Sequence, residues 1–213
     1  MSTIQEINML IQQGRGKRVC ELIQTALDDD ISPKEILQDA MLPAMSSVGE
    51  KFKNNEVFVP EVLVAARAMN MGMALLKPHM ADCGIEPIGT AVIGTVRGDM
   101  HDIGKNLVKM MIEGKGLRVV DLGVDVSPER FLEAAEENHA DIICCSALLT
   151  TTMTEIKNVL AYLKEKGVRD QYKVMIGGAP ISQSYCDAIG ADCYTPDAAS
   201  AADTAAAICL HRQ

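Results

Sequence analysis

The residues in this 213-residue chain best suited to chemistry form the run Gly98-Asp99-Met100-His101-Asp102-Ile103-Gly104. Asp99 and His101 are two apart, so both fit one extended turn ahead of a helix. A carboxylate that accepts one imidazole N–H fixes the ring and leaves the other nitrogen free to bind a metal. Gly104 removes a side chain where something bulky could pass close to the backbone. The same residues also describe an exposed loop histidine beside an Asp N-cap. Two further runs change the balance. After Gly104 come 41 residues, then Ser146-Ala147-Leu148; after Leu148 come 28 more, then Gly177-Gly178.

The elements that must position these runs can be read from hydrophobic period. From Thr90 onward, short β-prone stretches alternate with helical ones: TAVIGTV with DIGKNLVKMMIEGKG, RVVDLG with SPERFLEAAEEN, and DIICCSAL with TEIKNVLAYLKEKG. KVMIGG precedes a short helix near 183–189, and ADCYT precedes an Ala-rich end. Five β/α repeats with continuous apolar strands predict a parallel sheet covered on both faces. Such a sheet binds ligands on loops beyond the carboxyl ends of its strands, here after Val96, Leu122, Cys145, Ile176 and Tyr194. The three runs are expected at strand ends in consecutive odd β/α units, where side chains converge. No GxGxxG follows the first strand and no Walker lysine loop occurs, so the pattern is not a dinucleotide fingerprint.

Residues 1–80 follow a helical period instead. Ile4, Ile7, Leu10 and Ile11 share a face, as do Val19, Leu22, Ile23 and Leu27 after the Gly14–Gly16 break. Ser32-Pro33-Lys34-Glu35 predicts an N-cap, a proline at the first helical position and a Glu reaching back. A third segment runs toward Val48, and a fourth from Pro60 to about Leu76. Four amphipathic segments predict a helical bundle, joined to the rest by a linker over 81–89.

Composition narrows the function classes. Hydrophobic residues are 48% and charged residues 23%, enough to bury a core. Twenty basic residues against 29 acidic ones give net −9, without the clustered Lys and Arg that a phosphate backbone requires. Nucleic acid is excluded on that ground, and the absence of Trp leaves little for base stacking. No apolar run approaches the ~20 residues of a membrane span, and no basic-then-apolar leader opens the chain. A cytoplasmic location without a membrane partner is expected. The seven cysteines form no CxxC pair and read as buried thiols, with Cys144 and Cys145 on opposite faces of a strand.

Asp99–Gly104, Ser146–Leu148 and Gly177-Gly178, in this order and at these distances, closely resemble the signature DxHxxG…SxL…GG. That signature marks the cobalamin-binding module of methionine synthase and of corrinoid methyl-carrier proteins. Upstream, VGEKFKNNEVFVPEVLVAARAM (48–69) resembles the helical cap of the same family, so the resemblance covers essentially the whole chain. It implies a four-helix bundle cap over 1–80, the linker 81–89, and a five-stranded parallel flavodoxin-like (Rossmann-like) cobalamin-binding domain over 90–213.

The resemblance also implies roles. Cobalamin would bind with its own base displaced, and His101 would take the lower position on cobalt. Asp99 would accept the other ring N–H, and Thr152, where the family more familiarly has Ser, would complete a proton relay. Proton uptake through Asp99 would accompany release of His101 as cobalt is reduced. Ser146, Leu148 and Thr150 would contact the cofactor, as would Gly98, Met100, Asp102 and Ile103 of the histidine loop. Gly104, Gly177 and Gly178 would leave a slot for the displaced tail, closed by Ala198. Phe52, Phe58, Val59 and Val62 would shield the upper face. The implied role is a methyl shuttle between two partners. A substrate:corrinoid methyltransferase would load it from methanol, a methylamine, a betaine or a methoxyarene. A second methyltransferase would unload it to tetrahydrofolate or a thiol, with a reductive activator as a further partner. A cobalamin-dependent sensor is the alternative, followed by a mutase subunit and a cofactor-free module of the same fold.

Overall fold

The computed structural model describes residues 2–82 and 85–211. The chain divides into two compact units, Met1–Pro87 and Ile88–Gln213. In the first, helix α1 (Thr3–Gln12) opens on a capping box: Ser2 Oγ accepts the Gln5 N–H, and Gln5 Oε1 accepts the Ser2 N–H. Its Ile7, Leu10 and Ile11 are buried, as are Val19, Ile23 and Ala26 of α2 (Gly16–Asp28). Ser32 Oγ accepts the Glu35 N–H at the start of α3 (Pro33–Glu35), the half of the expected box that the structure shows.

The third helical segment is not uniform. A π-helical turn, Ile36–Met41, joins α3 to α4 (Leu42–Lys53). Pro43 supplies the reason: it lacks an N–H and its ring crowds the carbonyl four residues back, which favours a wider turn. The carbonyl of Ala40 within that turn accepts the Asn8 side-chain amide at 3.0 Å. Helix α5 (Val59–Asp82) packs along α2. Over Val59–Met80 it is long and apolar enough to cross a membrane by length and composition, which corrects the expectation that no stretch reaches that size. Glu61, Arg67 and Lys77 break the linear run. Val62, Ala65, Ala66, Ala68, Met69 and Leu76 are buried and make one face of the helix part of the bundle core, while Val59, Leu63 and Val64 are exposed.

The linker expectation over 81–89 also needs correction at both ends. Helix α5 continues through Asp82, while Ile88 N–H donates to Gly116 O and Gly89 O accepts the Arg118 N–H. Residues 88 and 89 therefore belong to the second unit. Cys83 and Gly84 lie outside the described residues.

That second unit runs β1 (Thr90–Thr95), α6 (Ile103–Glu113), β2 (Arg118–Asp121), α7 (Pro128–Glu137), β3 (Ile142–Ser146) and α8 (Met153–Glu165). After a short 3₁₀ turn at Arg169–Gln171 come β4 (Lys173–Gly177), α9 (Gln183–Ile189), β5 (Cys193–Tyr194) and α10 (Ala198–Leu210). The five strands are parallel in the order β2-β1-β3-β4-β5, as the alternating periods predict. One face carries α7 and α8 over Val92, Phe131, Ile143, Cys145 and Leu160, and α6 packs with α10 on the other. Cys144 and Cys145 alternate across the sheet, and burial pushes the Cys144 thiol up to about 12 and Cys145 upward as well. Cys20 and Cys193 are only partly buried, a correction to the reading of all the thiols as core.

Strand order reverses direction at β1, so a crevice opens between the carboxyl ends of β1 and β3. The register sets Thr95, Ser146 and Gly177 in one row across β1, β3 and β4. The glycine pair thus ends an even-numbered strand, which corrects the odd-unit expectation. Convergence comes from adjacency in the sheet. Gly178 follows with φ +132, and a Cβ there would meet the Ala147 carbonyl oxygen at 1.8 Å. Its glycine is needed for this close approach of two loops. Gly178→Ala should destabilise the fold by about 2–4 kcal/mol, whereas Gly177→Ala, whose Cβ would meet nothing within 4 Å, should change it by less than about 1 kcal/mol. Urea unfolding of the two variants checks the contrast.

Candidate functional site

Beyond β1 the chain turns at Gly98 (φ +78) and buries Asp99 completely. Five donors converge on that carboxylate. Oδ1 accepts the His101 backbone N–H at 3.1 Å and lies 2.8 Å from His101 Nδ1. Oδ2 accepts the Leu148 N–H at 2.7 Å, the Leu149 N–H at 3.3 Å and the Thr152 hydroxyl at 2.7 Å. Burial alone would push the Asp99 carboxyl up. The hydrogen bonds from Thr152, His101 and Leu148 outweigh it and hold the group well below the usual carboxylate range. Asp99 is therefore ionised, so it is an acceptor only, and Nδ1 must carry the ring proton. The half-exposed His101 is left with Nε2 as its free nitrogen.

One imidazole nitrogen is a sparse donor set. Among the described residues no group of three His, Cys, Asp or Glu side chains could hold a metal ion. The site suits a metal that brings its remaining ligands with it, as a macrocycle-bound metal does. The surroundings fit a large, mostly apolar partner. Met100, Ile103, Leu148 and Leu149 expose their side chains around the crevice, Met100 and Ile103 by 68% and 77%. A Cβ on Gly104 or on Gly177 would meet nothing within 4 Å. Ser146 stands between Thr95 and Gly177 in the register, and its hydroxyl has no partner among the described residues. Thr150 is exposed on the same loop.

Other expected residues are placed differently. Asp102 makes no side-chain cap to α6; its Oδ2 accepts the Asn106 amide at 3.1 Å. Ala198 is buried in the first turn of α10. At Gly178 the approach of the Ala147 carbonyl requires glycine. In the helical unit Phe58 and Val59 are exposed, Phe52 is partly buried near the end of α4, and Val62 is fully buried.

Several supporting residues carried no signal in the sequence reading. Thr95 is fully buried, and its hydroxyl donates to the His101 carbonyl at 2.8 Å. Lys105, buried in the first turn of α6, donates to Asp121 Oδ1 at 2.5 Å and to Asn106 Oδ1 at 2.8 Å, tying that turn to the end of β2. Asp125 Oδ1 accepts the Gly98 N–H at 2.7 Å.

The lowered Asp99 pKa has a sign. A carboxylate depressed in the folded state adds stability above its ordinary pKa, and that stability is lost as pH falls through the lowered value. Thr152→Val removes one donor and raises the folded-state value. The variant should lose about 1–2 kcal/mol at neutral pH, and its acid unfolding, followed by circular dichroism, should begin at higher pH than in the parent. Superimposed acid curves would contradict the assignment.

The chain is similar to known proteins over nearly its whole length. Residues 89–206 match the family described as a B12 binding domain, and residues 3–77 match a second family of the same description. A corrinoid protein of Desulfitobacterium hafniense (strain Y51) is 43% identical over 208 residues, covering 96% of each chain. Trimethylamine corrinoid protein 1 of Methanosarcina acetivorans is 44% identical over 192 residues, 89% of each chain. In the crystal structure of the methanol:cobalamin methyltransferase complex MtaBC from Methanosarcina barkeri, one chain superposes with a TM-score of 0.87 at 31% identity. That match covers 98% of this chain and 80% of the other. The chain belongs to the B12-binding corrinoid proteins of methyltransferase systems.

Proposed function

We propose that this protein is a cytoplasmic corrinoid methyl carrier in which His101 Nε2 is the lower ligand of cobalt. The observation that carries the reading is the chain Thr152–Asp99–His101, with one ring nitrogen left free beside an apolar cradle. Bound cobalamin supplies a cobalt that accepts a methyl group from one partner and gives it to another. The protein's own residues hold and tune it. Asp99 orients the imidazole and raises its basicity as a ligand. Ser146 offers a hydroxyl to the buried tail, and Leu148, Met100 and Ile103 offer apolar surface. Gly104 and Gly177 leave room for it.

Thr152 allows the carboxylate to change charge. Its single hydroxyl hydrogen has two acceptors in reach, Asp99 Oδ2 at 2.7 Å and the Leu149 carbonyl at 3.0 Å. It donates to an ionised Asp99. With a proton on Asp99 it can turn to Leu149 and accept instead. If a bound metal released the imidazole and Asp99 took up a proton, the Thr152 hydroxyl would still have a partner.

The relatives are named for trimethylamine, dimethylamine and methanol systems. By analogy the loading partner is a methyltransferase acting on a small methylated amine or alcohol, and the unloading partner transfers the methyl to a thiol or to tetrahydrofolate. Of the four residues expected in the cap, Phe58 and Val59 are exposed.

The test is to mix the purified protein with hydroxocobalamin under anaerobic conditions, remove the excess and record the visible spectrum. Stoichiometric retention is expected, with a spectrum that changes in His101→Ala. Failure to retain cofactor in the folded protein, or a spectrum unmoved by His101→Ala, contradicts the reading. Gly104→Ala provides a second arm. Alanine favours helix in the first turn of α6, so stability should stay level or rise by up to about 1 kcal/mol, while cofactor retention should weaken. A variant that binds as tightly as the parent would remove Gly104 from the cradle.

A further inference from the structure

The geometry points to Asp125, in the loop between β2 and α7, as a positioning residue for the histidine loop. It holds the Gly98–Asp99 backbone so that the imidazole is presented with its main chain already fixed. This rests on the reading of His101 as the lower ligand.

Asp125 has a left-handed backbone, φ +54, a conformation that Asp and Asn tolerate better than most residues. An aspartate in such a turn commonly bonds its own loop a residue or two along. Asp125 instead reaches across to a different strand's loop, 27 residues earlier in the chain, where its Oδ1 accepts the Gly98 N–H at 2.7 Å. Its own N–H donates to the Asp99 carbonyl at 3.1 Å. The two bonds run in opposite senses across one dipeptide, so they resist both translation and rotation of that segment.

The flanking backbone extends the clamp. Thr95 N–H donates to Gly123 O at 3.0 Å, Val126 N–H donates to Thr95 O at 2.9 Å, and Val96 bridges Val126 in parallel. Arg97 and Glu129 add an exposed ion pair at 3.2 Å, which contributes little. With Thr95 holding the His101 carbonyl and Asp99 holding the His101 N–H, the main chain at Gly98, Asp99 and His101 is tied from both sides. With the main chain held, the His101 side chain is what is left to adjust to a bound group.

Two substitutions separate the clamp from the turn. Asp125→Asn keeps both an acceptor oxygen and left-handed tolerance. Asp125→Gly keeps the backbone conformation and removes the acceptor. In the cofactor-free protein, Asp125→Gly should speed hydrogen exchange of the Gly98 amide on the order of tenfold or more, with little change in thermal unfolding. Asp125→Asn should exchange like the parent. After loading with hydroxocobalamin and reduction to the Co(II) state, electron paramagnetic resonance reports nitrogen coupling from the lower ligand. Asp125→Gly should show a reduced nitrogen-coupled fraction, and Asp125→Asn the parental one.

Parental Gly98 exchange in Asp125→Gly overturns the clamp. A parental nitrogen-coupled fraction in that variant overturns its consequence, and an Asp125→Asn variant as impaired as Asp125→Gly overturns the acceptor argument. If the nitrogen coupling of the parent survives His101→Ala, the ligand reading itself fails. The exchange arm, which needs no cofactor, still decides whether the clamp exists.

Discussion

The Asp99 carboxylate is fully buried yet keeps its charge, because five N–H and O–H groups from two loops converge on its two oxygens. An uncompensated buried carboxylate costs several kcal/mol, and these donors offset that cost. They come from the segments after β1 and after β3. With β1 paired beside β3 in the sheet, the carboxylate of one loop reaches the donors of the other. The crevice at the reversal of strand order is thus the place where a charge crosses from one loop to the other and locks both.

Much of the ligand geometry follows from that lock. An acceptor-only Asp99 dictates which nitrogen of His101 bears the proton, and the opposite nitrogen is left for a metal. The same carboxylate binds the backbone of Leu148 and Leu149, which holds their exposed side chains beside the ring. A threonine at 152 supplies the hydroxyl that the family more familiarly takes from serine. Its added methyl approaches Gly98, where a Cβ would lie 3.8 Å from Thr152 Cγ2. The hydroxyl of Thr152 donates to Asp99.

The parallel sheet, its strand ends and the Asp99–His101 pair were legible because they rest on periods and on residue types with few alternative uses; Thr152 was pointed to only by the family resemblance. The supports were not. Thr95 lies inside TAVIGTV, where a β-branched residue is an ordinary strand former, and nothing marks its hydroxyl as the partner of the His101 carbonyl. Asp125 reads as a turn residue until its acceptor is seen on Gly98. At Gly178 the motif marked the glycine but not the close approach of the Ala147 carbonyl that demands it. In the helical unit, Pro43 was visible but its consequence, a π-helical turn with the Ala40 carbonyl paired to Asn8, depends on tertiary contacts that no local pattern reports. Charges in the sequence of α5 likewise concealed how long and apolar that helix is.

The central claim is that Asp99 fixes the His101 tautomer before any cofactor arrives. The most direct measurement is a two-bond ¹H–¹⁵N correlation spectrum of the His101 ring in the cofactor-free protein, recorded about two units above the ordinary imidazole pKa of about 6.5. The account predicts a protonated, pyrrole-type Nδ1 and an unprotonated, pyridine-type Nε2. A ring protonated at Nε2, the usual preference in water, or one averaging between the two forms, would contradict it.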